Sequence, residues 1–304
     1  MAATLKLNKS LLLSISASAT GYLLYTLPHT SFLDKYRQFK ALYREDTEVP
    51  VSETFKWKLQ KVMDDLGLSK DIKEYIEPFN VKGFDVFHAG STHISKKALV
   101  GIPENFYFSN VSEVNIDCIK SKGMDMHWDS KAGEKLFKSL VLSESAQRYA
   151  LAREVLRIRS NELHWAGISI MWIMSALSTL YCFTAFRLEL KKAPRSYKRI
   201  LFTSFTAFGI VLFLALADRR SRNIDIDTDT TLSNLGPMYV QGGQEFYAKL
   251  VNRNIALRTL LGKSGREQYT PEGNEKHFFR NKNIENTYRK LFFELKEADM
   301  QSLL

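Results

Sequence analysis

Two runs of apolar residues interrupt an otherwise mixed chain. Trp165 to Phe186 is 22 residues without a formal charge, and Ile200 to Ala217 is 18 more. About 20 apolar residues, rising 1.5 Å each, cross a hydrocarbon core of roughly 30 Å. Two such runs in tandem with basic flanks predict a transmembrane helical hairpin over 165–217, with spans at 165–186 and 200–217.

The stretch leading into the first span, LSESAQRYALAREVLRI (142–158), predicts a helix. Ser143 suits the N-cap, since its hydroxyl can accept a free N–H of the first turn. Glu144 follows, where the helix dipole favours negative charge. No Gly or Pro intervenes before Gly167. Leu151, Val155 and Ile158 recur at i, i+4, i+7 and form an apolar stripe. Arg153 and Arg157 lie four apart on another face, with Glu154 beside them. Charges on a helix entering a bilayer need partners, so these three residues become candidates.

Elsewhere the period changes along the chain. Residues 34–82 read as helical, with Phe55, Leu59, Val62 and Leu66 on one face and Gly67 as the stop. Residues 83–117 carry short apolar runs broken by Gly90, Gly101, Pro103 and Asn105, which predicts a small antiparallel sheet. Within it, GIPENFYFS (101–109) reads as a hairpin, and Val114, Ile116 and Cys118 as a further strand. Asp129 to Leu140 returns to helix. Beyond the membrane hairpin, NIDIDTDTT (223–231) mimics half a calcium loop, but Thr230 and Gly236 stand where Gly and Glu are required. It reads as a solvated linker. Gly242 and Gly243 open another helical region, ended by Gly262 and Gly265. The tail places Ile284, Tyr288, Leu291, Phe292 and Leu295 on one face of an amphipathic helix.

The expected fold class is therefore an α+β membrane protein, mostly helical, with a small antiparallel sheet and an inserted membrane hairpin. Residues 34–164 and 218–304 would form one body. Residues 1–33 are basic, Ser-rich and free of acidic residues, in the style of a mitochondrial leader. The uncharged stretch 10–27 is also long enough to span or anchor.

Composition narrows the function classes. The chain of 304 residues is 45% hydrophobic and carries 43 Lys+Arg against 33 Asp+Glu, a net charge of +10. The basic residues crowd the membrane edges, in RLELKKAPRSYKR (187–199) and DRRSR (218–222), which reads as headgroup contact with the lipid bilayer. With no nucleic-acid motif, a nucleic-acid partner is not expected. Cys118 and Cys182 make no disulfide framework, and the six His residues show no metal spacing, so neither cofactor nor metal is expected.

Two resemblances add to this. LSESAQRYALAREV (142–155), GGQEFYAKL (242–250) and NIALRTLLGKSGREQYTPEGN (254–274) resemble signature segments of the transmembrane protein 177 family, in the same order around the same hairpin. The resemblance covers most of residues 98–280. It implies a mitochondrial inner-membrane, multi-pass protein that assists early maturation of cytochrome c oxidase subunit II together with its assembly chaperones.

More distantly, the order sheet, helix, membrane hairpin, helix is similar to membrane-bound zinc peptidases of the gluzincin kind. Those carry H-E-x-x-H, in which two His bind zinc and the Glu is general base. Here Arg153 and Arg157 stand at the His positions and Glu154 at the base position. Glu245 matches the third ligand of a later E-x-x-A-D helix, and Lys249 replaces its Asp. Arg offers donors and no lone pair, so this degenerate site implies a pseudo-peptidase. The expectation is that Arg153 or Arg157 meets Glu245 in a buried bridge, whose rupture costs about 3–5 kcal/mol, against roughly 0–1 for an exposed pair. The alternatives are an active zinc metallopeptidase with non-standard ligands such as His88, His93 or His164, and a structural membrane scaffold with no specific client.

Overall fold

The computed structural model describes residues 16, 18–114, 128–190, 192–277, 280 and 282–302. The chain is mostly helical. Residues 18–26 form α1, and Leu33–Lys40 form α2. Two short strands, β1 (Tyr43–Arg44) and β2 (Thr47–Glu48), make a small ribbon before α3 (Glu53–Asp65) and α4 (Lys70–Glu74). The Ser52 side chain caps α3 by accepting from the Phe55 N–H, and Phe55, Leu59 and Val62 are its buried face. Gly67 ends it with φ +64°, a conformation that costs glycine nothing.

The sheet is not the antiparallel hairpin the pattern predicts. It has three strands in the order β3 (Ile76–Val81), β5 (Lys97–Pro103), β4 (Phe87–Ser91). β3 runs parallel to β5, pairing Ile76 with Ala98, and β4 runs antiparallel, pairing Phe87 with Gly101. β5 is central and its residues from Ala98 to Pro103 are all buried, so it reads as a continuous apolar run. β3 lies inside the segment expected to be helical. Its Pro78 has no N–H to donate, which suits an edge strand. The expected turn after Gly101 is a single 3-10 turn at Glu104–Tyr107. Asn105 fastens it by donating to the Leu140 carbonyl at 3.0 Å, and Tyr107 Oη donates to Asn80 at 2.8 Å. Val114 follows another 3-10 turn, and Ile116 and Cys118 lie outside the described residues.

Next come α5 (Lys131–Leu140) and α6 (Glu144–Arg159). Ser143 caps α6 as expected, accepting from the Ala146 N–H at 3.2 Å. α6 does not run on into the first span. It stops at Ser160, which is extended (φ −62°, ψ 140°) and donates its hydroxyl to the Arg157 carbonyl. α7 (Glu162–Arg187) then carries the first apolar run and α8 (Arg195–Ser233) the second. Both are long and apolar enough to cross a membrane, with mean hydropathy of 1.6 and 2.4 over their most apolar stretches. α8 extends well past its apolar part. At 1.5 Å per residue its segment 218–233 continues for roughly 24 Å. The expected solvated linker at 223–231 is thus helix, and Asp218, Ser221, Asp225, Thr228, Asp229 and Leu232 form its buried face.

α9 (Pro237–Leu260), α10 (Gly262–Gln268) and α11 (Asn286–Ser302) complete the chain. α9 begins at Pro237 rather than at the Gly pair. That pair instead lets α9 cross close to its neighbours. A Cβ at Gly242 would come within 2.3 Å of the Ser145 carbonyl oxygen on α6, and one at Gly243 would strike the Phe293 ring on α11. α11 turns a different face inward from the one expected. Arg289 and Phe293 are buried, whereas Tyr288, Leu291 and Leu295 are exposed. One core joins α3, β5, α6, α9 and α11, so elements from both sides of the membrane hairpin share it. α1 packs along both spans. Gly21 lies against Ile170 and Met174, Tyr22 against Gly167, and Tyr25 stands edge-on to Phe213 at 6.0 Å.

Candidate functional site

α6 is buried on nearly every side. From Ala146 to Ala152 every residue is buried, and Glu154, Val155, Arg157 and Ile158 follow. The face with Leu151, Val155 and Ile158 joins the apolar core. The other face carries ionised groups that meet charged partners from β4, α8 and α11.

The network can be followed from one residue to the next. Arg153 reaches Glu154 at 3.1 Å, and the other oxygen of Glu154 meets His88 Nδ1 on β4. One turn on, Arg157 Nη1 donates to Asp225 Oδ1 at 2.9 Å and its Nη2 to Ser221 Oγ at 3.3 Å, both on α8. Glu162, at the start of α7, stands 3.8 Å from the same guanidinium. Asp225 Oδ1 also meets Arg289 of α11 at 3.0 Å. Arg289 then holds Asp229 through two parallel bonds of 2.7 and 2.6 Å. Tyr149 Oη donates to Asp229 at 2.6 Å and approaches Tyr247 Oη at 3.1 Å, while the Arg289 guanidinium stacks 4.6 Å above the Tyr247 ring. Three Arg thus face three buried carboxylates (Glu154, Asp225 and Asp229), and Asp225 is 0% exposed.

Electrostatics keep these groups charged. Burial opposes ionisation of Glu154, but Arg153, His88 and Arg157 outweigh it and hold the carboxyl down at about 2. Burial likewise opposes the charge of Arg289, and Tyr247, Asp229 and Tyr149 reverse it, so its pKa lies well above the ordinary value. Burial raises the Tyr149 phenol, with Tyr247 and Asp229 adding to the effect, so it stays protonated as a donor. Every charge has an opposite charge in contact, the condition for tolerating ions in a low-dielectric interior.

The expected bridge from Arg153 or Arg157 to Glu245 is not formed. Glu245 accepts from the Ser143 N–H at 3.0 Å and from the Ser143 hydroxyl, at the N-terminal end of α6. Lys249 donates to the Lys138 carbonyl at 2.8 Å. The reason is geometric. α9 crosses α6 where Gly242 meets Ser145, which puts Glu245 ten residues, or about 15 Å of helix, from Arg153. Arg153, Glu154 and Arg157 are therefore brought together, and Glu245 and Lys249 are not among them. His88 joins the network, whereas His93 Nε2 faces the Arg159 carbonyl at 3.0 Å.

The sequence pattern gives no sign of Tyr149, Glu162, Ser221, Tyr247 and Arg289 as members, and it presents Asp225 and Asp229 only as part of a solvated linker. A signal for the Asp pair existed. Positions 218, 221, 225, 228, 229 and 232 follow helical spacing, but the residues are mostly polar and an apolar template passes over them.

Chemically, the guanidinium groups offer donors only, and the Glu154 oxygens already have Arg153 and His88 as partners. Among the described residues, no group of three or more His, Cys, Asp or Glu side chains is placed to hold a metal ion. What the arrangement does is tie the membrane-proximal extension of α8 to α6, α11 and β4. The molecule is thus a helical domain locked by buried ions to the foot of two helices able to span a membrane.

Comparison with known proteins gives this architecture a family. The family described as Transmembrane protein 177 matches residues 79–289, and the chain belongs to it. It is 31% identical over 233 residues to Transmembrane protein 177 of Homo sapiens, covering 76% of this chain and 74% of that protein. It is 29% identical over 246 residues to the Danio rerio protein of the same name, covering 79% and 77%. With the Mus musculus protein the figures are 31% over 243 residues, 77% and 75%. No solved structure matches the chain.

Proposed function

We propose that this protein is a non-catalytic assembly factor of the mitochondrial inner membrane that stabilises newly inserted cytochrome c oxidase subunit II and works beside its assembly chaperones. The observation that carries the non-catalytic part is the use made of α6. Arg153 and Arg157, which on the resemblance to gluzincin-type peptidases would replace two zinc-binding His, are both committed to carboxylates. In this reading the domain is a degenerate gluzincin-like fold in which ion pairs join elements that a metal would otherwise join. Family membership and the basic, acid-free N-terminus support the location and the client. A hairpin able to span the bilayer suits a client that itself enters the membrane as a hairpin.

The test is the steady-state level of oxidase subunit II in cells lacking this protein. The proposal expects subunit II to fall while unrelated inner-membrane proteins hold steady, and to recover when the chain is restored. An unchanged level would favour a structural scaffold without that client.

A further inference from the structure

We propose that α2 is a membrane-surface foot, whose outward stripe of Phe32, Lys35 and Phe39 rests among the lipid headgroups of the bilayer that the hairpin enters. Phe39 is 81% exposed and Phe32 46%. The two rings and the Lys between them recur at i, i+3 and i+7, one face of a helix. The opposite face is already seated on the domain. Leu33 is buried with Phe79, Ala89 and Leu99 of the sheet, and Tyr36 stands edge-on to Phe87 at 5.4 Å.

Three observations select a lipid surface. The first is position. α1 carries the chain to the edge of the hairpin. Its Tyr25 packs on Phe213, four residues before the second apolar run ends at Ala217. Its Thr26 lies beside Gly167, two residues after the first run starts at Trp165. These contacts place the end of α1 about 3–6 Å inside the apolar runs. The Phe32 N–H donates to the Leu27 carbonyl at 3.0 Å, and the Thr30 hydroxyl to the Thr26 carbonyl at 3.1 Å, so α2 is tied to that level where it starts. The second is reach. Phe39 follows Phe32 by about 10 Å of helix, the greatest height it can gain even with α2 upright, against a headgroup layer of roughly 5–8 Å per leaflet. The third is chemistry. Lys35 Nζ lies 5.5 Å from the centre of the Phe32 ring and Lys40 Nζ 5.7 Å from that of Phe39. α2 carries three basic residues against one acidic, and that one, Asp34, holds Lys97 at 2.9 Å. Rings that enter the acyl boundary beside ammonium groups that reach phosphate are what an interfacial helix presents. Trp57 on α3 shows that chemistry alone does not decide. It is 57% exposed under Lys61, but its neighbour Lys58 bonds Gln147, about 18 Å of helix from the end of α6 at Arg159. The inference rests on the hairpin crossing the bilayer and is independent of the client proposed above.

The experiment places the photo-crosslinker p-benzoylphenylalanine in the full chain in place of Phe39, with Trp57 and Trp172 replaced in separate variants for comparison. Trp172 lies within the first apolar run and is exposed. Each variant is irradiated in vesicles of phosphatidylcholine and phosphatidylglycerol and in the native membrane, and adducts are read by mass spectrometry. The expected result is phospholipid attached at positions 39 and 172 in both settings, several-fold above the yield at position 57. Phe32 repeats the test should the variant at 39 fail to fold. Lipid at 172 without lipid at 39 would overturn the proposal, as would equal yields at 39 and 57. A protein adduct at 39 in the native membrane, from a second copy or a partner, would overturn it too. Lipid at neither 39 nor 172 would overturn the crossing of the bilayer along with it.

Discussion

Asp225→Ala removes the carboxylate that serves two guanidinium groups at once. Asp225 Oδ1 lies 2.9 Å from Arg157 and 3.0 Å from Arg289, at 0% exposure. Arg289 keeps Asp229, and Arg157 keeps Ser221 and the longer contact to Glu162. The interior would then hold three Arg against two carboxylates. Stranding a buried charge typically costs about 3–5 kcal/mol. At roughly 2–4 °C per kcal/mol for a domain of this size, Tm should fall by about 6–20 °C. The assay is circular-dichroism melting of the purified protein in detergent at one fixed scan rate, because membrane proteins often unfold irreversibly. A double-mutant cycle separates charge from shape. Arg157→Met with Asp225→Leu restores neutrality, so its loss should be smaller than the sum of the single losses by about 0.5–3 kcal/mol. A melting curve for Asp225→Ala that overlays the wild type, or losses that simply add, would refute the buried network as a source of stability.

Three further predictions follow from single positions. Glu154 titrates at about 2 in the folded protein against 4.5 unfolded, so it favours the folded state above pH 4.5 and ceases to as pH falls toward 2. That interval corresponds to roughly 3 kcal/mol, and Glu154→Gln should flatten this part of the stability–pH curve measured by denaturant titration. Glu245→Ala removes an acceptor for the Ser143 N–H and hydroxyl at the start of α6, and should cost only about 1 kcal/mol in the same titration, the scale of a helix cap. Gly242→Ala places a methyl against the Ser145 carbonyl and should destabilise by about 1–3 kcal/mol, more than the gain in helix propensity returns, as a melting curve would register.

The membrane spans, α6 with its Ser143 cap, and the buried face of α3 were all legible in the sequence. Each rests on local chemistry, namely a charge-free run, a capping hydroxyl or an i, i+4, i+7 stripe. The sheet was legible only as strand-forming chemistry. Its parallel pair β3–β5 depends on Pro78 finding an edge, which no local period reveals. The candidate site was half legible. Arg153, Glu154 and Arg157 stand out as charges needing partners, whereas Glu245 rests on motif analogy alone and Asp225 sits in a segment that resembles a solvated linker. α11 shows the same limit. A hydrophobic template selects Tyr288, Leu291 and Leu295, yet the face turned inward carries Arg289, because three buried carboxylates against two Arg would leave the core unbalanced. Polar cores follow helical periods as apolar ones do, and an apolar scale cannot register them.

Ion pairs hold α6 to its neighbours through Glu154, Asp225 and Asp229. Elemental analysis of the detergent-purified protein, with its Tm measured before and after a strong chelator, tests this most directly. A domain held by ion pairs gives zinc far below one atom per chain and a Tm unmoved by the chelator. Zinc near one per chain, with a Tm that falls on chelation, would contradict it and put the peptidase reaction first.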